Sequence, residues 1–83
     1  MRFRAEIIVT LKSGVLDTQG KAVFSSLRRL GHPGIEDVRI GRVISVVVDA
    51  PDAAEARSEV ETMCQNLLVN DLIEEARVDL EAL

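Results

Sequence analysis

Hydrophobic and polar residues alternate over the first ten positions after the initial methionine. The side chains that would face the core are those of Phe3, Ala5, Ile7, Val9 and Leu11. The residues between them, Arg2, Arg4, Glu6, Ile8 and Thr10, are polar apart from Ile8. A period of two is typical of a strand with one buried face. The pattern therefore predicts a strand from Arg2 to Leu11.

A helical period follows the short loop Lys12-Ser13-Gly14. Val23, Leu27 and Leu30 recur at i, i+4 and i+7 and would form one apolar stripe. Asp17 precedes the stripe, and its carboxylate can accept from the free N–H groups of a first helical turn. Gly31 suits the left-handed position that ends a helix, so the pattern predicts a helix between Asp17 and Leu30.

Two short β-branched runs, Ile35 to Ile40 and Val43 to Val48, follow this helix. Gly41 and Arg42 lie between them, and glycine at the first central position suits a type II′ turn. We therefore predict a hairpin of two strands. The alternative is one bent strand with a bulge at Gly41.

A second helix is predicted from Asp52, because Asp52 and Glu55 have the spacing of a capping box. Its apolar stripe would comprise Ala56, Val60, Met63, Cys64, Leu67 and Leu68. Asn70 suits a C-terminal stop. Leu72 to Leu80 then alternates and is predicted to be the last strand.

The element order β-α-β-β-α-β predicts a single α+β domain over residues 1–83. The compact solution is a ferredoxin-like sandwich, with a four-stranded antiparallel sheet and two helices on one face. The other sheet face would carry Ile8, Val43 and Val47, whereas a face exposed to water usually carries fewer apolar residues. We therefore expect a second copy of the chain to cover that face or a strand edge beside it.

The size of the chain also favours self-association. A chain of 83 residues buries a small core, and such chains usually need a disulfide, a metal or a partner chain. The single cysteine, Cys64, excludes an internal disulfide, and no His/Cys cluster has zinc-ligand spacing. We expect a homodimer or a tetramer, and the sequence does not distinguish them.

The composition indicates a cytoplasmic protein without a membrane or nucleic-acid partner. An unpaired thiol suits a reducing compartment, and the N-terminal residues lack the continuous apolar run of a signal peptide. A net charge of −4 and the presence of only Phe3 and Phe24 as aromatic residues argue against nucleic-acid binding. Positive charge dominates residues 1–48 and negative charge dominates residues 49–83. These halves either interleave in the fold or form opposite patches.

No catalytic, metal-binding or cofactor-binding motif is present. Cys64 lies within an apolar stripe, where a free cysteine is usually a small buried hydrophobe. His32 is the only histidine, so it has no histidine co-ligand. Lys12-Ser13-Gly14 before a helix could hold an anion, but Asp17 at the cap would repel one.

Several motifs do resemble one known family. The most specific are Leu16-Asp17-Thr18-Gln19-Gly20, Val38-Arg39-Ile40-Gly41-Arg42, and Met63-Cys64 followed by Leu67-Leu68 and Asn70. Together they resemble the PurS family, the small subunit of phosphoribosylformylglycinamidine synthase (FGAM synthase), from Val9 to Glu81. The chain departs from the family at Ala76 and Val78, where relatives often carry aromatic residues.

The resemblance implies a non-catalytic structural subunit, which belongs to an enzyme only within an ATP-dependent amidoligase complex of de novo purine biosynthesis. That complex converts formylglycinamide ribonucleotide, ATP and glutamine to formylglycinamidine ribonucleotide, ADP, phosphate and glutamate. A PurQ-type glutaminase subunit would release ammonia, and a PurL-type synthetase subunit would use ATP and Mg²⁺. The chain would bridge the two subunits, aid ammonia transfer and bind no cofactor itself.

The family supplies no catalytic residue, so the candidate site is a protein interface. Exposed residues within the matching motifs are the candidates: Thr18, Gln19, Lys21, Arg39 and Arg42. Asp17, Gly31 and Gly41 are assigned structural roles at a cap, a helix end and a turn. The alternative function is an ACT-like regulatory module, which would bind a small molecule near Lys12 to Leu16.

Overall fold

The computed structural model describes all residues 1–83 as two helices and one antiparallel sheet of three strands. In chain order the elements are β1 (Arg2–Leu11), α1 (Thr18–Arg29), β2 (Arg42–Asp49), α2 (Ala53–Met63) and β3 (Glu74–Ala82). A π-helical turn, Cys64–Leu68, continues α2. The strand order is β2-β1-β3, so β1 lies at the centre of the sheet.

The core lies between β1 and α2. Ile7 of β1 lies opposite Ile44 of β2 and Val78 of β3, on the sheet face that α2 covers. The predicted alternation in β1 is confirmed by its buried residues, which are Phe3, Ala5, Ile7 and Val9. From the second helix and its π-helical turn, Ala56, Val60 and Cys64 complete this layer. Burial of these apolar side chains is the main source of stability for the sheet.

The first helix does not pack on the sheet, and the prediction of two helices on one face is wrong in this respect. α1 makes no extensive contact with a strand or with α2. Gly20 is its only buried residue, and Leu30 at its end is 75% exposed. Residues 12–41, which we call the arm, therefore carry α1 away from the sheet. The molecule accordingly measures 51 × 27 × 14 Å.

The strand predicted over Ile35 to Ile40 is not formed, so the sheet has three strands instead of four. The backbone N–H of Ile40 donates to the Asp17 carboxylate at 2.8 Å, and it is therefore not available to a strand ladder. Gly41 lacks the positive φ that a type II′ turn requires, which excludes the predicted hairpin. The alternative of one bent strand also fails, because β2 begins only at Arg42.

The predicted starts of both helices and the predicted end of α1 are confirmed. Asp17 accepts a hydrogen bond from the Gly20 N–H, and Asp52 accepts one from the Glu55 N–H, each at 2.8 Å. Gly31 adopts φ +99° after α1. Its N–H donates to the Arg28 carbonyl while the His32 N–H donates to the Leu27 carbonyl, which is the Schellman arrangement.

The end of the second helix differs from the prediction. The Val69 N–H donates to the Cys64 carbonyl, five residues earlier, and this wider turn rotates Leu67 away from the core. Leu67 is 84% exposed, so its place in the predicted apolar stripe is wrong. The last strand begins at Glu74 and not at Leu72, because the Asn70 side chain accepts from the Leu72 N–H and closes a turn.

Candidate interaction site at the base of the arm

Asp17 joins the two chain segments that form the base of the arm. Its Oδ1 accepts from the Gly20 N–H, and its Oδ2 accepts from the Ile40 N–H, both at 2.8 Å. The bonds from Ile40 and Gly20, with a smaller contribution from the Arg39 charge, lower the pKa of Asp17 below its ordinary value. The Asp17 carboxylate therefore connects the start of α1 with the segment that contains Ile40.

The five predicted interface residues gather around Asp17. Thr18, Gln19 and Arg42 line one open cleft of about 340 Å³. Lys21 and Arg39 line a second cleft of about 340 Å³ beside it. Leu16 and Asp17 line both clefts. The structure thus places residues from two distant sequence motifs at one end of α1.

The two arginines of this site also bind within the chain. Arg39 Nη2 donates to the Leu11 carbonyl at 2.8 Å. Arg42 donates to both carboxylate oxygens of Glu74, at 2.5 and 3.2 Å, and to the Leu68 carbonyl at 2.7 Å. The hydrogen bond with Glu74 raises the pKa of Arg42, and the bond from Arg42 is the main cause that lowers the pKa of Glu74. Both guanidinium groups therefore support the fold at the base of the arm.

The other three candidates present their side chains to solvent. Thr18, Gln19 and Lys21 are exposed on the first turn of α1. Because their side chains have no strong internal partner, a docking protein could contact them without breaking the fold.

Glu74 is a structural partner that the sequence pattern did not reveal. It accepts from the Asn70 N–H at 2.9 Å in addition to its bonds with Arg42. Arg42 and Glu74 are 32 positions apart, and they meet because β2 and β3 both pair with β1. Only the strand register brings them together, so no sequence spacing could have shown this contact.

Apolar side chains are exposed in two further places. Leu67 and Leu72 are 84% and 87% exposed near the start of β3. On the sheet face opposite α2, Ile8 lies opposite Val43 in the register, and Val43 is 62% exposed. The apolar residues predicted for the open sheet face thus lie on that face. The expectation that a second copy of the chain covers them stays a prediction.

No group of three or more His, Cys, Asp or Glu side chains is arranged to hold a metal ion. Cys64 is buried, and desolvation is the main cause that raises the pKa of its thiol, which disfavours the reactive thiolate. No helix has the length and apolar character needed to cross a membrane.

Comparisons with known proteins agree with the motifs. The sequence model of the PurS family, described as phosphoribosylformylglycinamidine (FGAM) synthase, matches residues 4–82. The PurS subunit of phosphoribosylformylglycinamidine synthase from Synechocystis sp. is 43% identical over 81 residues, which is 98% of this chain and 81% of the relative.

Solved structures show the same architecture. PurS from Thermus thermophilus has a TM-score of 0.88 and 37% identity, covering 100% of this chain and 99% of that one. A chain in the structure of PurLQS from Thermotoga maritima has a TM-score of 0.91 and 30% identity, covering 98% of this chain and 99% of that one.

Proposed function

Because the chain belongs to the PurS family, it is a subunit of phosphoribosylformylglycinamidine synthase in purine biosynthesis, and we propose here how it serves that complex. Enzyme activity belongs to the assembled, ATP-dependent ligase. The similarity to a chain of the Thermotoga maritima PurLQS structure is the observation that carries this proposal. It favours a subunit of a multi-protein complex over an ACT-like module.

The proposed role is to bridge a PurQ-type glutaminase subunit and a PurL-type synthetase subunit in the cytoplasm, with residues 1–83 acting as one unit. Ammonia released by the glutaminase would be lost or protonated in open water, so a closed assembly is needed for efficient transfer. ATP and Mg²⁺ would act at the synthetase subunit. Thr18, Gln19 and Lys21 are the proposed contact residues, and Arg39 and Arg42 would shape the same surface.

The size of the exposed surface supports self-association. The accessible surface is 5869 Å², whereas a compact monomer of 9.1 kDa exposes about 4,900 Å². The radius of gyration is 16.4 Å, compared with about 12 Å for a compact chain of this length. The excess surface is comparable to the roughly 800 Å² that each partner buries in a standard interface.

A second copy would complete the ferredoxin-like arrangement. α2 contacts β1 and β3, so the β2 side of the same sheet face has no helix over it. Ile44 and Val46 lie there and are only half-buried. In the apolar stripe of α1, Val23 is 39% and Leu30 is 75% exposed, and α1 makes no extensive contact with a strand or with α2. We place the α1 stripe of one copy over the β2 side of the other, and the choice between a dimer and a tetramer depends on the open sheet face.

Reconstitution with purified glutaminase and synthetase subunits tests the bridging role. Adding this chain should raise the rate of amidine formation with glutamine as the nitrogen source. The rate with added ammonium salt should stay the same, because free ammonia needs no transfer between subunits. A glutamine-dependent rate that does not respond to the chain contradicts the proposal.

The contact residues need a matched pair of variants. Lys21→Glu should weaken the stimulation, because it reverses a charge on the proposed contact surface. Glu59→Lys is a charge reversal of the same size on the exposed side of α2 and should leave the stimulation unchanged.

A further inference from the structure

The arm has an unusual attachment to the rest of the fold. It leaves the sheet at the end of β1 and returns at the start of β2. No backbone hydrogen bond joins its outgoing residues 12–20 to its returning residues 35–41. The connections across the base are side-chain bonds: the Ile40 N–H donates to the Asp17 carboxylate, and the Arg39 guanidinium donates to the Leu11 carbonyl. The direction of α1 therefore depends on these side-chain bonds and on Lys12, whose N–H donates to the Ile73 carbonyl at the start of the arm.

Asp17 is the stiffer of these two connections. Its short side chain accepts from the helix at Gly20 and from the returning segment at Ile40, so the helix start and the returning segment are fixed to one carboxylate. Arg39 has a long and exposed side chain, which loses more rotamer freedom than Asp17 does when its hydrogen bond forms. Gly20 lets the two segments lie close together, because a Cβ at this position would lie only 2.5 Å from the Val38 carbonyl oxygen.

We propose that Asp17 is a positioning residue for assembly of the complex, which fixes the direction in which α1 projects toward a second copy of the chain. This inference rests on the proposed function, because it assumes that the arm meets a partner. An arm held in one direction binds with a smaller loss of conformational entropy than a mobile one. Asp17 thus acts through the arm and touches no substrate.

Asp17→Asn is the decisive variant. The amide oxygen can still accept from the Gly20 N–H, and asparagine is a good helix cap. Its NH₂ group would then face the Ile40 N–H, donor against donor, so the variant breaks the bond to the returning segment. Asp52→Asn is the matched control, since Asp52 makes the same capping bond to Glu55 and no bond to a distant segment.

The first measurement is the distance between α1 and α2. Spin labels at Ser25→Cys on α1 and Ser58→Cys on α2, in a Cys64→Ala background, report their separation by electron paramagnetic resonance. Unlabelled chain in excess keeps one labelled copy in each assembly. Asp17→Asn should broaden the distance distribution, and Asp52→Asn should leave it as narrow as that of the parent.

The second readout is assembly. Asp17→Asn should weaken self-association about tenfold in sedimentation, as expected for the loss of one hydrogen bond to a charged group. It should also lower the glutamine-dependent rate at low subunit concentration, and high concentration should restore that rate. A fold defect in the chain would not be rescued in this way.

Three results overturn parts of the proposal. If the distance distribution of Asp17→Asn is as narrow as that of the parent chain, Asp17 does not position the arm. Equal effects in Asp17→Asn and Asp52→Asn mean that the bond to Ile40 is not the cause. A broadened distribution with unchanged association means that the arm direction does not govern assembly. If the parent chain fails to stimulate the complex, the bridging role fails, while the distance distribution still decides the role of Asp17.

Discussion

At the scale of single residues, a few short side chains fix the connections of the fold. Asp17 accepts two backbone hydrogen bonds from segments 20 residues apart in the sequence. Glu74 similarly accepts from Arg42 and from the Asn70 N–H. Carboxylates that accept such bonds favour the charged form, so both residues stabilise the fold as anions.

The lowered pKa values of Asp17 and Glu74 predict a specific loss of stability in acid. Each carboxylate binds protons more weakly in the folded chain than in the unfolded chain. Its contribution is therefore complete above the ordinary carboxyl pKa of about 4 and is lost as the pH falls through the lowered folded value.

Urea unfolding between neutral pH and strongly acid pH measures this dependence. The double variant Asp17→Asn with Glu74→Gln should lose less stability on acidification than the parent chain. Glu59→Gln, which removes an exposed carboxylate of α2, is the control and should follow the parent curve. An identical slope in the parent and in the double variant would show that these two bonds do not govern the acid response.

Gly20→Ala should destabilise the chain, although the same change inside an ordinary helix stabilises it by about 0.5–1 kcal/mol. The new Cβ would lie 2.5 Å from the Val38 carbonyl oxygen, so either α1 or the returning segment must move. We expect a loss of about 1–3 kcal/mol in urea unfolding, as for other overpacked sites. Gly34→Ala, where a Cβ meets nothing within 4 Å, should be neutral. A Gly20→Ala variant more stable than the parent would refute the close contact.

At the scale of elements, the two helices have similar patterns and different surroundings. Each begins at an aspartate cap and carries an apolar stripe. α2 packs against β1 and β3, whereas α1 makes no extensive contact with a strand or with α2. The π-helical turn then turns Leu67 of the second stripe outward, while Leu68 still packs against the core. An apolar stripe thus predicts that a helix packs against another surface, and it does not show which surface.

Val60→Ala and Leu67→Ser should differ in their effect on the free energy of unfolding, although both residues belong to one predicted stripe. Val60 is fully buried, so its truncation should cost about 2 kcal/mol. Leu67 is already exposed, so its replacement should change stability by less than about 0.5 kcal/mol. Urea unfolding of both variants makes the comparison. A large loss in Leu67→Ser would show that Leu67 is covered in solution.

At the scale of the whole molecule, the chain exposes more surface than its mass requires. The exposed surface includes a helix stripe, one sheet face and the leucines near β3. α1 carries Lys21, Arg28 and Arg29 and no acidic residue, while α2 carries three glutamates and one arginine. The sheet interleaves its charges, with Arg4 opposite Glu81 and Arg2 opposite Asp49. The charges thus interleave in the sheet, while the two helices carry net charges of opposite sign.

Self-association should depend on the apolar stripe of α1. Val23→Asp or Leu30→Asp should shift the chain toward monomer in sedimentation velocity, because a charge would be buried in the interface. Ser25→Asp adds the same charge to another side of the helix and is the matched control. The variants should keep the stability of the sheet core, since α1 does not contact it extensively. A monomeric parent chain at micromolar concentration contradicts the proposal.

Much of the fold followed from local rules. The alternation in β1, the aspartate caps and Gly31 after α1 were predicted correctly, because each depends on neighbours within about one turn or one strand. The interface candidates around Thr18 and Arg39 came from family motifs, and the structure places them at one end of α1. The fourth strand and the position of α1 were predicted wrongly, because both depend on distant contacts.

The sequence by itself determined the types of five of the six predicted elements, the buried face of the central strand and the family. Only the tertiary structure decided where α1 lies, why Ile35 to Ile40 is not a strand, and which residues meet at the base of the arm. The physical reason is that an apolar stripe or a β-branched run specifies only that a surface must be covered. Long-range bonds such as those of Asp17 with Ile40 and Arg42 with Glu74 decide what covers it.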